Sequence, residues 1–197
     1  MKTQNLIKIV TVSAVGILFS TALNASSVYA TKMTNLMDKT GNTIGTLTPG
    51  TRLDVIKKSG KKSKVRLNGW SAFGAETVIF KKVGKRIILG ILDETVTSKV
   101  KQGKTKTDEF ESIWNESSFT AWVETSALTK SQEKIWNKAD GLFKQRCGGC
   151  HQPHPPHEFT ANQWPNIVKA MKDRAGLTSD DQWLLTKFMQ EHAKDMH

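Results

Sequence analysis

Cysteine is scarce in this chain: among 197 residues only Cys147 and Cys150 carry a thiol. Two thiols cannot staple a disulfide scaffold, so the fold must rest on a hydrophobic core. Proline is nearly as rare, with five copies, and three of these crowd into 153–156. Acidic residues are short, 18 against 29 Lys and Arg, for a net charge of +11. After the first thirty residues no apolar run is long enough to span a bilayer, which argues against stable membrane insertion of the mature chain.

The first thirty residues read as an export leader. Lys2 and Lys8 open it, the apolar run Ile9–Phe19 follows, and Val28 and Ala30 place small residues around Tyr29. That pattern predicts a signal peptide over 1–30, cut after Ala30, and a periplasmic location. Losing Lys2 and Lys8 still leaves a strongly basic protein. Excess positive charge suits nucleic acid, an anionic membrane or an acidic protein. Export argues against nucleic acid. The lysines at 57–64, 81–82 and 99–106 form either a solvated face or a docking surface for an acidic redox partner.

Residues 31–129 read as an all-β domain. Arg52–Ile56, Lys64–Leu67, Glu76–Phe80 and Arg86–Leu89 alternate or run apolar, with turn signals at Pro49-Gly50, Ser59-Gly60 and Asn68-Gly69 between them. Short strands closely spaced suggest a small barrel or sandwich. The polar stretch 102–118 reads as a long loop or insertion. From Ser131 the period becomes helical, which sets a second, all-α domain over 130–197. Ile135, Trp136, Ala139, Leu142 and Phe143 share one face of a helix running into Cys147. A second helix begins near Pro165 and a third follows the capping-box spacing of Thr178 and Asp181. The whole is α+β and multidomain.

Cys147-Gly148-Gly149-Cys150-His151 carries the chemistry. Two thiols three residues apart can add to two vinyl groups of a haem, and the following imidazole can reach the iron from the same side. The glycines let backbone pass close to the ring. A thioredoxin-type pair would want a βαβ setting, and here a helix precedes it. A zinc site from Cys147, Cys150, His154 and His157 would need a very short, proline-stiffened loop to close a tetrahedron. A plain disulfide leaves His151 without a role. The cofactor expected is therefore one covalent haem c held by Cys147, Cys150 and His151. Met171 is the candidate for the sixth ligand; Met189, His192 and His157 are the alternatives.

The helical region resembles a small class I cytochrome c. The stretch His157–Pro165, with Val168-Lys169-Ala170-Met171 and His192-Ala193-Lys194-Asp195, is similar to the C-terminal monohaem domain of the multihaem cytochromes that serve trimethylamine-N-oxide reductase. Asn35-Leu36-Met37, Ile44–Val55 and Ala121-Trp122-Val123 resemble a bacterial SH3-like module. These resemblances imply a monohaem electron carrier feeding a molybdopterin oxidoreductase of S- or N-oxides. Only one Cys-x-x-Cys-His is present, so an upstream quinol-oxidising cytochrome or dehydrogenase must be the donor. The other reading is a haem-based sensor or accessory subunit with the SH3-like module as effector. A peroxidase reading finds no acid–base pair to support it.

Overall fold

The computed structural model describes residues 27–149 and 151–196; the expected leader up to residue 26 lies outside them. Ten antiparallel strands come first: β1 Ser27–Ala30, β2 Thr34–Met37, β3 Thr43–Leu47, β4 Arg52–Ser59, β5 Lys62–Ala72, β6 Val78–Lys82, β7 Lys85–Leu92, β8 Lys101–Thr107, β9 Ile113–Glu124 and β10 Leu128–Thr129. Three helices follow: α1 Gln132–Cys147, α2 Trp164–Met171 and α3 Ser179–Glu191. The architecture is α+β, one antiparallel ten-stranded sheet and then three helices.

The strand order is β10-β1-β4-β5-β6-β7-β3-β2-β9-β8, and β5 also pairs with β9. That extra pairing, Lys62↔Glu124 through Ala72↔Trp114, turns the sheet back on itself through β5, β6, β7, β3, β2 and β9. The two longest strands do this work. The start of β5 pairs with β4 and its far end, at Trp70, with β6, so one strand serves two neighbours along a single edge. Leu36, Leu47, Leu53, Val65, Leu67, Ile79, Phe119 and Val123 fill the interior.

The loop expected over 102–118 is instead a hairpin of β8 and β9. Every residue of β8 is exposed, so no hydrophobic alternation marks it. In β9 the inward position between Trp114 and Phe119 is held by buried Ser117, which hides the strand period. Lys101, Lys104 and Lys106 on this edge discourage pairing with another chain.

The helices begin where their capping residues stand. Ser131 Oγ accepts from the Lys134 amide, and Thr178 and Asp181 complete a reciprocal capping box. Pro165 occupies the first turn of α2. The helical cluster includes Ile87 of β7, fully buried with Ile135, Trp164, Leu185 and Phe188, and Tyr29 of β1 packs against it. Around it the Gln190 Nε2 donates to the carbonyls of Arg86 (3.2 Å) and Ala161 (2.9 Å). Asn162 accepts from the Arg86 amide (2.7 Å) and donates to the Gly84 carbonyl (2.9 Å). Lys85 pairs with Asp195 at 2.5 Å and Lys81 with Glu191.

Candidate functional site

A cleft of about 190 Å³ opens among the three helices. Its walls are apolar: Phe143 from α1, Trp164, Ile167, Val168 and Met171 from α2, Leu185 and Met189 from α3. Cys147 and His151 stand on the same cleft. The helical spacing explains the convergence. Phe143 and Cys147 are i, i+4 on α1; Ile167 and Met171 on α2; Leu185 and Met189 on α3.

Cys147 is the last residue of α1 and is half-buried. Burial pushes its thiol above the ordinary range, so it is a neutral thiol at pH 7. A redox-active pair would need the opposite shift. Cys150 lies outside the described residues. His151 Nδ1 lies 2.8 Å from the Gln152 carbonyl. A carbonyl only accepts, so Nδ1 carries the proton and Nε2 keeps its lone pair for a metal.

The proline-rich loop is fastened to α2 by a run of aromatic edges. His151 and His154 rings are 6.1 Å apart, His154 and Phe159 5.2 Å, Phe159 and Trp164 5.2 Å. Trp164 Nε1 donates to the Pro156 carbonyl at 2.8 Å, and His154 pairs with Glu158 at 2.8 Å. The candidates for a second axial ligand separate spatially. Met171 and Met189 line the cleft, Met171 at 37% exposure and Met189 at 2%. His157 and His192 are not on it. His192 Nδ1 donates to the Phe188 carbonyl (2.7 Å), and its ring packs edge-on against Trp136 and tilted against Phe188. His154, three residues after His151, also lines the cleft.

Two residues of this site escape sequence reasoning. Arg146 and Arg174 both line the cleft, both are exposed, and neither has an ion-pair partner among the described residues. Only their type offered a hint: arginine is rare here (Arg52, Arg66, Arg86, Arg146 and Arg174) where lysine abounds. Guanidinium is the group of choice for carboxylates.

The donor set fits haem c. The cleft is apolar enough for a porphyrin; a thiol at a helix end, an imidazole and the thioethers of Met171 and Met189 all stand on it, and Arg146 and Arg174 would meet two propionates. Among the described residues no group of three His, Cys, Asp or Glu side chains gathers to hold a bare metal ion. No described helix is long and apolar enough to cross a membrane.

Comparison with known proteins agrees on one family. The family model of the TorC third cytochrome c domain matches residues 22–128. The cytochrome c-type protein TorY of Haemophilus influenzae is 33% identical over 177 residues, covering 89% of this chain and 48% of that protein. TorY of Escherichia coli O157:H7 is 31% identical over 154 residues, 78% of this chain and 42% of that protein. TorC of Escherichia coli K12 is 28% identical over 153 residues, 77% of this chain and 39% of that protein. The chain thus spans about half the length, or less, of the curated relatives it matches. The family model covers the sheet and stops short of the helices. The longest of these alignments must cross Cys147–His151, since only twenty residues fall outside it. No solved structure matches.

Proposed function

Because the chain belongs to the family of the TorC third cytochrome c domain, we propose that it is a periplasmic monohaem c-type cytochrome that passes single electrons to a molybdenum-cofactor reductase of S- or N-oxides, of the trimethylamine-N-oxide or dimethyl-sulfoxide type. One observation carries the reading: Cys147, His151 and Met171, spread over 25 positions of sequence, line a single apolar cleft. Bound haem supplies a one-electron iron couple. The chain's own residues do the rest. Cys147 and Cys150 tether the group. His151 offers Nε2 while the Gln152 carbonyl holds its ring and tautomer. Met171 offers a thioether from α2, and such a ligand raises the potential relative to a second imidazole. Phe143, Trp164 and Leu185 exclude water. The SH3-like β unit of residues 31–129 serves as the frame on which this helical unit of 130–197 stands.

The relatives named TorC and TorY point to the acceptor. Each oxide takes two electrons and one haem carries one, so the partner is met twice per turnover or stores the first electron. That requires a brief, charge-guided encounter with fast release. The exposed lysines of β8, Lys101, Lys104 and Lys106, give this chain the cationic side of such a contact. The donor is an upstream quinol-oxidising cytochrome or dehydrogenase.

The test is to mature the protein in a haem-loading periplasm. The expected product is coloured, heavier than the polypeptide by one haem, slow to bind carbon monoxide when reduced, and oxidised by a purified reductase only when oxide is present. Colourless protein of bare polypeptide mass refutes the cytochrome. Rapid carbon monoxide binding refutes the carrier and favours a sensor.

A further inference from the structure

Strand β1 is built entirely from residues that the sequence pattern assigns to the leader. Ser27, Val28 and Tyr29 pair with Asp54, Leu53 and Arg52 of β4, and Tyr29 and Ala30 pair with Thr129 and Leu128 of β10. Ala30 is fully buried, and Val28 is 6% exposed beside Leu53 in the interior. The Ala30 amide donates to the Thr51 carbonyl (3.0 Å), and its carbonyl accepts from the Gly50 amide (2.8 Å). Arg52 donates twice to Ser27 Oγ (3.1 and 2.7 Å). Tyr29 reaches the helical cluster. A cut after Ala30 removes all of this. It strips one edge of β4 and takes away, among the described residues, the one strand that pairs with β10, and β10 is the segment that leads into α1.

The sequence holds a second cleavage signal that spares the strand. Ser20-Thr21-Ala22 places small residues at the two required positions directly after the apolar run ends at Phe19. Ala22 lies three residues beyond Phe19, Ala30 eleven. The family match begins at residue 22, so the family's shared sequence includes the stretch that a cut after Ala30 would discard.

We propose that the leader is cut ahead of β1, after Ala22, and that Ser27–Ala30 stays in the mature protein as the strand joining the sheet to the helical unit. Val28-Tyr29-Ala30 then looks like a cleavage site because Val28 and Ala30 are the two residues of this strand that are buried. The inference does not depend on haem.

The test is the intact mass and N-terminal sequence of mature protein exported from the full-length gene product. The expected N-terminus is Leu23, which adds the eight residues Leu23–Ala30 to the mass expected for a start at Thr31. A start anywhere from Leu23 to Ser27 upholds retention of the strand. A start at Thr31, or an uncut leader, overturns the proposal. A second measurement guards the physical premise: chains beginning at Leu23 and at Thr31 are exported behind the same foreign leader. The shorter should melt at least about 5 °C lower. Equal melting temperatures would show that β1 contributes nothing, and would overturn the argument from packing.

Discussion

Lys187 offers the sharpest test of how the helices sit on the sheet. It is 2% exposed on α3, and its ammonium donates to the Ile88 carbonyl of β7. Burial pushes its pKa down to about 7; Glu191 pulls it up and Lys81 down again. Arg86 and Lys169 face the same niche from β7 and α2. In the unfolded chain the amine returns to an ordinary 10.5. Between pH 7 and 10.5 the unfolded state therefore holds the extra proton, and stability must rise with pH across that window. The limiting slope is about 1.4 kcal/mol per pH unit, so moving from pH 7.5 to 9.5 contributes roughly 2 kcal/mol. Lys187→Met keeps the stem and removes the titration. The Ile88 carbonyl keeps a donor in Thr48 Oγ1 at 2.6 Å, so the lost hydrogen bond costs at most about 1 kcal/mol. Urea unfolding of both proteins from pH 6.5 to 9.5 checks this. The variant should be the more stable at pH 6.5, and its advantage should shrink steadily to near zero by pH 9.5. Parallel pH curves would refute the claim that burial on the sheet disfavours the charged form of this lysine.

Other outcomes follow from the same contacts. Ile87→Ala empties a fully buried position where a sheet residue enters the helical cluster; it should cost about 2–4 kcal/mol, with helix and sheet signals moving together in thermal unfolding. Gly50 has φ +73°, and a Cβ there would stand 2.4 Å from the Trp136 ring; Gly50→Ala should lower stability by roughly 2 kcal/mol or more in urea titration. Met171→Ala should leave the ferric haem high-spin or ligand-exchanged, seen as loss of the sulfur-to-iron band; an intact band would move the role to Met189. Arg146→Gln with Arg174→Gln should lower the reduction potential in a redox titration, because two positive charges that oppose the ferric state are gone, and the drop should shrink as salt rises.

What could be read from the sequence was local. The capping box at Thr178 and Asp181 and the cap at Ser131 announce their helices because they act within three residues of themselves. Pro165 does the same for α2. The haem reading of Cys147 and His151 rests on their adjacency in sequence. What could not be read is long-range. Ser117 turns inward with no apolar label, and β8 has no buried face at all, so their hairpin passes for a loop. Val28-Tyr29-Ala30 satisfies two constraints at once, and the peptidase pattern is the one that shows. Arg146 and Arg174 become neighbours of one cleft only after α1 and α2 pack, and nothing in either local sequence pairs them.

The seven residues Leu184–Gln190 of α3 are all buried, nearly two turns with no solvent face. A helix on the rim of a small three-helix unit should be amphipathic. α3 is not, because it is covered twice. Leu185 and Met189 face the cleft, while Lys187 and Gln190 bond to the backbone of β7 and Glu191 to Lys81 of β6. The sheet therefore supplies the wall that three short helices lack. If it fixes the register of α3 through backbone carbonyls, it also fixes how far Leu185 and Met189 project into the cleft. On this reasoning the β unit is tied to the cofactor site through α3, and weakening the β7 contacts should loosen cleft and sheet together, as expected for Ile87→Ala.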